Sequence, residues 1–310
     1  MKNQKIKHLL KELKEDNSSG AAEFIDKAIE IIKFQLKQIK VSQVNIKDEI
    51  FIISKRIIET RPSMAPLINT IGYILNDLDT VNKEIINERL VKLDIKRRRI
   101  KENLELNFHN FLENRTKPLL RIMLISYSST IFNLLLNNND HNLELYILES
   151  RPLMEGKRVA ERLSKHFKTH LIIDAAVGYF INHVDLVLVG IDSVLRDGSI
   201  VNKIGTFPLA IIAKSQDIDV FVVGDSFKYN LRSHFGQQIL IEEKPIREVY
   251  NKQITGKLEI HNYYFDITPP QYFTGIISDL GVLNMKTFLE KVKEKLPIEW
   301  FKYFINNKGV

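Results

Sequence analysis

The sequence contains no cysteine, a single tryptophan, and only 13 glycines and 9 prolines among 310 residues. Because disulfides, thiolate metal sites and thiol nucleophiles all need cysteine, each of them is excluded. No apolar run reaches the roughly 18 residues that a membrane-spanning helix needs. The polar start, Met1-Lys2-Asn3, is unlike a secretory signal. We therefore expect a cytoplasmic protein without membrane contacts.

The formal net charge is +7, and most of it lies in the N-terminal half, with the densest basic run at Lys96–Lys101. A basic surface of this kind is one that can bind nucleic acid, so RNA binding is a hypothesis. No aromatic residue interrupts the run, however, and base stacking needs aromatic side chains. A solvated helix face, or a docking surface for an acidic protein, is the favoured interpretation.

Residues 1–116 show helical periodicity and few helix breakers. Apolar residues from Ile25 to Ile39 recur at spacings of three and four, which predicts an amphipathic helix that begins after Gly20. Similar patterns predict helices over residues 44–59, from near Pro66, and over residues 80–113. The sequence therefore predicts an N-terminal helical bundle domain that ends at residue 116.

From residue 117 to residue 310 the pattern changes to short apolar runs that alternate with helical segments. This alternation predicts an α/β fold in which a Rossmann-like C-terminal domain contains a parallel sheet covered on both faces. In such a sheet a ligand binds beyond the carboxyl ends of the strands. The predicted strands are residues 121–126, 144–148, 169–173, 185–190 and 220–223.

The most informative of the predicted strands is the one that ends at Asp192. We expect a turn to follow it, carrying Asn202 and Lys203 and leading through Gly205 into a helix that starts at Thr206. A carboxylate, a cation and exposed backbone donors at one sheet edge suit a phosphorylated polyol. The alternative is that Asp192 only accepts backbone N–H groups and stabilises the turn.

The other predicted strands also end in polar residues. Because the carboxyl ends of parallel strands meet at one edge, we expect these residues to lie close together. Arg151, Lys203 and Lys228 would then supply cations for an anion. The polar ends are Ser126–Ser128, Glu149–Pro152, Asp174 and Gly224–Lys228.

Several familiar cofactor signatures are missing. No glycine-rich dinucleotide fingerprint follows a strand, and there is no Walker A sequence, so NAD and FAD are not expected. The eight histidines are scattered, and none is spaced as a pair of metal-binding histidines on a helix or strand. The sequence predicts neither a cofactor nor a metal.

A set of ordered motifs nevertheless resembles one family. That family comprises the regulatory (alpha, beta and delta) subunits of translation initiation factor 2B together with ribose-1,5-bisphosphate isomerase and methylthioribose-1-phosphate isomerase. The resemblance implies a helical N-terminal domain, a Rossmann-like C-terminal domain and a homodimer, open to further assembly, that is built through the latter. The motifs are Glu59–Pro62, Ser126–Ser128, Glu149–Pro152 with Glu155–Lys157, Gly190–Ser193 with Asn202–Thr206, and Phe265–Pro270.

The resemblance also implies roles for individual residues. In the isomerases a cysteine on the first strand faces an aspartate that corresponds to Asp192, and here the cysteine position is Ser126. A hydroxyl is a much weaker acid than a thiol. Ser19 stands where the bisphosphate isomerase motif resembles Arg-Gly-Ala. The implied ligand-binding residues are Gly20, Ala21, Arg61, Ser128, Arg151, Asp192, Asn202, Lys203 and Lys228.

Two functions follow from this resemblance. The leading hypothesis is a dimeric regulatory-subunit homologue that binds a sugar phosphate or nucleoside monophosphate and whose helices contact a partner such as the alpha subunit of initiation factor 2. The alternative is an aldose–ketose sugar-phosphate isomerase that uses Asp192 as its acid/base group, with Ser126 or Tyr127 as the second group. Nucleotide exchange itself is not expected, because in this family it resembles the work of other subunits.

Overall fold

The structure, a computed structural model, describes residues 2–16, 21–39, 46–77, 82–253 and 256–306. The chain forms two compact units. The first unit consists of Met1–Arg99, Phe227–Gln237 and Val292–Val310, and the second unit consists of Ile100–Ser226 and Gln238–Lys291. The two units divide within a long helix, whereas the sequence places a domain boundary between residues 116 and 117. The domain boundary that the sequence predicts between residues 116 and 117 therefore stays a prediction.

The helices confirm the predicted helical N-terminal region. None of the helices in the described part of the chain is long and apolar enough to cross a membrane. In chain order they are α1 (Lys2–Glu15), α2 (Ala21–Gln38), α3 (Ile46–Thr60), α4 (Ala65–Leu75), α5 (Lys83–Glu113), α6 (Ser129–Asn137), α7 (Glu155–Leu163), α8 (Val177–Phe180), α9 (Thr206–Ser215), α10 (Leu231–His234), α11 (Met285–Lys295) and α12 (Trp300–Asn306).

Helix α4 is apolar around nearly its whole circumference and forms the centre of the first unit, as expected of a helix with neighbours on all sides. Gly72 is the position where α4 meets α12. A Cβ atom on Gly72 would lie 1.8 Å from Nε1 of Trp300, so the indole occupies the space that any side chain at residue 72 would need. The sole tryptophan is thereby buried against a helix of its own unit.

The main sheet lies in the second unit and has seven strands in the order β10-β9-β7-β4-β1-β2-β3. All neighbouring strands are parallel except β9 and β10. The five predicted strands are confirmed as β1 (Leu120–Leu124), β2 (Leu143–Leu148), β3 (Lys168–Ile172), β4 (Leu186–Val189) and β7 (Asp219–Val223), and β9 (Gly275–Ser278) and β10 (Gly281–Leu283) complete the sheet.

The strand order reverses between β1 and β4. From β1 the chain proceeds to β2 and β3 on one side, whereas β4 and β7 lie on the other. Strands β1 and β4 pair directly, with Leu124 opposite Leu188. Such a topological switch point opens a crevice beyond the carboxyl ends of the two strands, and ligands of open α/β sheets bind there.

A second, antiparallel sheet was not predicted. It consists of β5 (Ser193–Val194), β6 (Ile200–Lys203) and β8 (Phe265–Thr268), in the order β5-β6-β8. The prediction that Asn202 and Lys203 lie in a turn is therefore wrong, because Asn202 pairs with Asp266 and Lys203 pairs with Phe265. The strand that pairs with β6 lies some sixty residues further along the chain. The polar residues around Asn202 therefore showed only the local pattern of a turn.

Candidate functional site

Residues that follow β1 and β4 meet at the switch point, as predicted. Ser128 caps α6, since its hydroxyl accepts the N–H of Ile131 at 3.3 Å. A Cβ atom on Gly190 would lie 3.2 Å from Oγ of Ser128 and 3.5 Å from Oδ1 of Asn202. Glycine at this position therefore leaves room for two of the predicted ligand-binding side chains to lie against the backbone.

A hydrogen-bonded network surrounds Ser126. Its hydroxyl donates to Oε1 of Glu155 at 2.9 Å, and Nζ of Lys203 lies 2.8 Å from the same oxygen. The Lys203 side chain is only 5% exposed, so its charge depends on this carboxylate for compensation. The other oxygen of Glu155 is buried and has no hydrogen-bond partner among the described residues. A buried, unsatisfied carboxylate oxygen is uncommon and marks a position where a donor would bind.

The turn after β2 supports this network. Ser126 has a left-handed backbone, with φ of 68°, and its N–H donates to Oγ of Ser150 at 2.8 Å. The N–H groups of Ser150 and Arg151 donate to the two carboxylate oxygens of Asp174, at 2.8 and 2.7 Å. Asp174 thus holds the turn in place. The Arg151 residue is exposed.

The amino end of α9 differs from the prediction. The backbone N–H groups of Gly205 and Phe207 donate to Oδ2 of Asp266, at 2.8 and 3.1 Å. These donors were expected to be exposed for an anionic ligand, and that expectation is wrong, because a carboxylate of the chain itself already occupies this helix terminus. Burial raises the pKa of Asp266, and the backbone hydrogen bonds oppose that rise.

Asn202 and Lys203 are fixed by their neighbours. Nδ2 of Asn202 donates to Oγ1 of Thr206 at 3.0 Å, and that hydroxyl donates to the carbonyl of Lys203 at 2.6 Å. Both residues are buried. The nitrogen of the Asn202 amide is therefore bonded within the chain, and its Oδ1 is the atom of this side chain that lies toward Gly190.

Asp192 lies at the start of the hairpin formed by β5 and β6. Its N–H donates to the carbonyl of Val201 at 3.0 Å, and the residue is exposed. Asp192 follows shortly after β4. This placement agrees with the prediction that its side chain lies at the edge of the sheet where the parallel strands end. The bond to Val201 involves only the backbone of Asp192, so the alternative, in which its carboxylate accepts backbone N–H groups, stays a prediction.

A cavity of about 290 Å³ lies between the carboxyl ends of β1 and β2 and the amino end of α9. Ile125 and Leu148 line it from the sheet, and Leu209 lines it from the helix. Gly205, with φ of 100°, belongs to its wall, and a Cβ atom there would lie 3.2 Å from Cδ1 of Ile125. The walls are apolar apart from Asp174, so this cavity suits an apolar group better than a phosphate.

The remaining predicted residues belong to the first unit, apart from Gly20, which lies outside the described residues. Ala21 is the first residue of α2. Arg61 follows α3, donates to the carbonyl of Asp16, and lies 5.1 Å from the ring centroid of Phe24. These contacts give the guanidinium a structural role within its own unit.

Lys228 also belongs to the first unit, where Asn69 fixes its backbone. Nδ2 of Asn69 donates to the carbonyls of Phe227 and Tyr229, at 2.6 and 2.7 Å, on either side of Lys228. Asn69 is fully buried in α4. Asn69 was not among the predicted site residues. An asparagine inside an otherwise apolar helix nevertheless indicates a buried hydrogen-bonding role of this kind.

The chain resembles proteins of known sequence and structure over most of its length. The model of the initiation factor 2 subunit family matches residues 4–285. A ribose 1,5-bisphosphate isomerase from Archaeoglobus fulgidus is 28% identical over 264 residues, which cover 83% of each chain. A translation initiation factor eIF-2B subunit 2-like protein from Pyrococcus furiosus is 27% identical over 283 residues, which cover 90% of this chain and 96% of that protein.

Among solved structures, the translation initiation factor eIF-2B of Pyrococcus horikoshii OT3 has the same fold. The TM-score is 0.73, with 24% sequence identity, and the match covers 90% of this chain and 97% of that one. The helical N-terminal region and the mostly parallel sheet agree with this match. The chain is therefore a member of the initiation factor 2 subunit family.

Proposed function

We propose that this protein binds a phosphorylated pentose at the switch point between β1 and β4 and interconverts its aldose and ketose forms. The proposal rests on the contacts of the two carboxylate oxygens of Glu155. One of its oxygens is bonded to Ser126 and Lys203, and the other is buried without a partner among the described residues. The similarity to a ribose 1,5-bisphosphate isomerase supports the same choice, which was the alternative in the sequence analysis.

The chemistry needs two groups that transfer protons. An aldose–ketose isomerisation moves one hydrogen from a carbon atom to its neighbour, and it consumes no oxidant or reductant. Asp192 would remove the proton from the carbon that becomes the carbonyl carbon. Asp192 would then return this proton to the adjacent carbon, whose bond to the ring oxygen breaks. A second group would take the hydroxyl proton of the new carbonyl carbon and deliver it to the ring oxygen. The oxygen that carries the intermediate's negative charge needs a nearby cation.

Ser126 and Glu155 together are our candidates for the second group. A serine hydroxyl alone is too weak an acid or base for this step. Its hydrogen bond to Glu155 provides a carboxylate that can accept the hydroxyl proton. Lys203, which contacts the same carboxylate, would stabilise the negative charge of the intermediate.

The phosphate groups would bind to cationic side chains. Arg151 is exposed and follows a turn that Asp174 holds in place. A guanidinium binds phosphate oxygens through two parallel charge-assisted hydrogen bonds. The family resemblance also implies Gly20, Ala21, Arg61 and Lys228 as ligand-binding residues, and these stay predictions.

A second candidate function is supported by the serine at the position of the isomerase cysteine. In this case the protein binds the same ligand, or a nucleoside monophosphate, without converting it. It would act as a regulatory subunit, with a homodimer as its basic assembly and initiation factor 2 as its partner. The eIF-2B subunit 2-like relative from Pyrococcus furiosus supports this function.

One pair of measurements separates the two functions. Purified protein is incubated with ribose 1,5-bisphosphate, and formation of ribulose 1,5-bisphosphate is followed, while calorimetry measures binding of the same compound and of adenosine monophosphate. Turnover at an ordinary enzymatic rate supports the isomerase. Binding without turnover supports the regulatory subunit, and the absence of both binding and turnover contradicts both functions.

A further inference from the structure

Three potential metal ligands of the second unit lie close together near the amino ends of β1 and β2, at the opposite end of the strands from the switch point. His109 and Glu113 lie one helical turn apart near the end of α5, which leads into β1, and His141 lies in the loop between α6 and β2. One ligand atom from each residue lies within 4.8 Å of the others. The spacing of the histidines does not reveal this cluster, because the residue one helical turn after His109 is a glutamate, Glu113, rather than a second histidine.

The hydrogen bonds of Asn138 determine which nitrogen of His109 is available. Nδ2 of Asn138 donates to the carbonyl of Leu134 at 2.8 Å, which fixes the orientation of the amide. Oδ1 of Asn138 then lies 2.8 Å from Nδ1 of His109. Because an amide oxygen only accepts, Nδ1 carries the proton and the lone pair of the neutral ring is on Nε2. Metal-binding histidines are oriented by the same kind of second hydrogen bond.

His141 presents an unsatisfied nitrogen to the cluster. Its Nε2 is buried and has no hydrogen-bond partner in the described part of the chain, and it lies 3.4 Å from Oε1 of Glu113. Two ligands bound at about 2.0–2.2 Å to a tetrahedral ion are themselves about 3.4 Å apart. The spacing of these two atoms therefore already fits a shared cation.

We propose that Nε2 of His109, a carboxylate oxygen of Glu113 and Nε2 of His141 bind one divalent first-row transition metal ion, with Zn²⁺ as the best fit. Imidazole ligands select such ions over Mg²⁺ and Ca²⁺. Glu113 is 60% exposed, so its side chain can move to close the longer separations within the cluster. A water molecule completes the four-coordinate site.

The ion would have a structural role. It would join the end of α5 to the loop that precedes β2, where His109 and Asn138 already meet. The site lies at the amino ends of the strands, whereas the proposed sugar-phosphate site lies at their carboxyl ends. The metal proposal is therefore independent of the proposed isomerase activity.

The test uses the full-length protein after removal of metals with EDTA. Calorimetric titration with Zn²⁺ should show one ion per chain, and Co²⁺ should give the visible absorption bands of a four-coordinate site. His109→Gln and His141→Gln should each weaken Zn²⁺ binding at least about tenfold. His166→Gln, at an exposed histidine of the same unit, is the matched control and should bind like the parent protein.

The proposal is overturned if the parent protein binds no Zn²⁺, or if both variants bind it as the parent does. Melting temperatures in EDTA show whether each variant folds. Should the histidine variants fail to fold, Glu113→Gln decides the matter, because this side chain is mostly exposed. It must lower the affinity for Zn²⁺ at least about tenfold, and an unchanged affinity contradicts the proposal.

Discussion

The hydroxyl of Ser126 donates to Oε1 of Glu155 at 2.9 Å, so a carboxylate lies beside the residue that the family resemblance places at the cysteine position of the isomerases. A thiolate can act as a base by itself, whereas a serine hydroxyl needs a neighbouring base that accepts its proton. Lys203 restrains the same oxygen at 2.8 Å. Under the proposed isomerase function, a chain without cysteine would therefore still have a group at this position that can transfer a proton.

The first prediction concerns Glu155. In Glu155→Gln the buried ammonium of Lys203 loses its compensating charge, so the free energy of unfolding should fall by about 3 kcal/mol. Turnover, where present, should fall at least about 100-fold, because the amide accepts no proton from Ser126. Urea denaturation and the isomerase assay measure the two effects.

Glu161→Gln is the matched control for this prediction, since Glu161 is an exposed residue of the same helix. It should change the free energy of unfolding by less than about 0.5 kcal/mol. If Glu155→Gln were as stable and as active as Glu161→Gln, the network would have no role in either folding or catalysis.

Asp192 is the subject of the second prediction. Asp192→Asn removes the proposed base but keeps the size of the side chain and the backbone hydrogen bond to Val201. Turnover of ribose 1,5-bisphosphate should fall at least about 100-fold, while its dissociation constant stays within about threefold of the parent value. Steady-state kinetics and calorimetry measure these quantities, and a variant with parental turnover would exclude Asp192 as the base.

A third prediction follows from Asp279, which accepts the N–H and the hydroxyl of Ser226, at 2.7 and 3.0 Å. Burial raises the pKa of this carboxyl from its ordinary 3.8 to about 6, and the hydrogen bonds from Ser226 limit the rise. The folded protein therefore binds the proton more tightly than the unfolded chain does. The contribution of Asp279 to stability is favourable below pH 4 and is lost as the pH rises to about 6.

Asp279→Asn tests this dependence, because the uncharged amide can accept the N–H of Ser226 through its oxygen and donate to the Ser226 hydroxyl oxygen through its nitrogen. The variant should match the parent near pH 4 and exceed its free energy of unfolding at pH 7 by at most about 3 kcal/mol, at about 1.36 kcal/mol for each pKa unit. Urea denaturation between pH 4 and pH 7 provides the comparison. A difference between the two proteins that is independent of pH would contradict the assignment.

Gly72 gives the fourth prediction. In Gly72→Ala the new methyl group would collide with the indole of Trp300, and the helix cannot move away without losing its other contacts. The free energy of unfolding should fall by about 1–3 kcal/mol, although alanine favours a helix more than glycine does. Circular dichroism during denaturation measures the change.

The control is Gly178→Ala in α8, where nothing lies within 4 Å of the new Cβ atom. This substitution should be neutral or stabilise the protein by up to about 1 kcal/mol. Equal effects at the two positions would mean that the packing of Trp300 against α4 contributes nothing.

The sequence predicted those parts of the fold that depend on local patterns. The apolar runs of β1 and β4 and the periodicity of α2 are visible without any knowledge of contacts. The antiparallel sheet was missed because β6 pairs with β8, and nothing near Asn202 indicates a partner at Asp266. For the same reason the sequence could not show that Asp266 occupies the amino end of α9.

The candidate site was predicted in part. The rule that strand ends meet predicted Ser128 and Gly190 at one edge of the sheet, and in the structure these two residues lie side by side. From the sequence, Glu155 is only one residue of a motif and not a site residue. An acidic residue in the first turn of a helix is common for electrostatic reasons alone. Lys228 follows β7 in sequence, but the chain enters the first unit at Phe227, and this change of unit has no local signature.

The packing of Trp300 in the first unit has a practical consequence. Because the protein has no other tryptophan, tryptophan fluorescence excited at wavelengths that the ten tyrosines do not absorb reports on that unit alone. The backbone signal, in contrast, includes the sheet of the second unit. Comparing the two denaturation curves therefore shows whether the units melt together or in succession, with no need for an added dye or label.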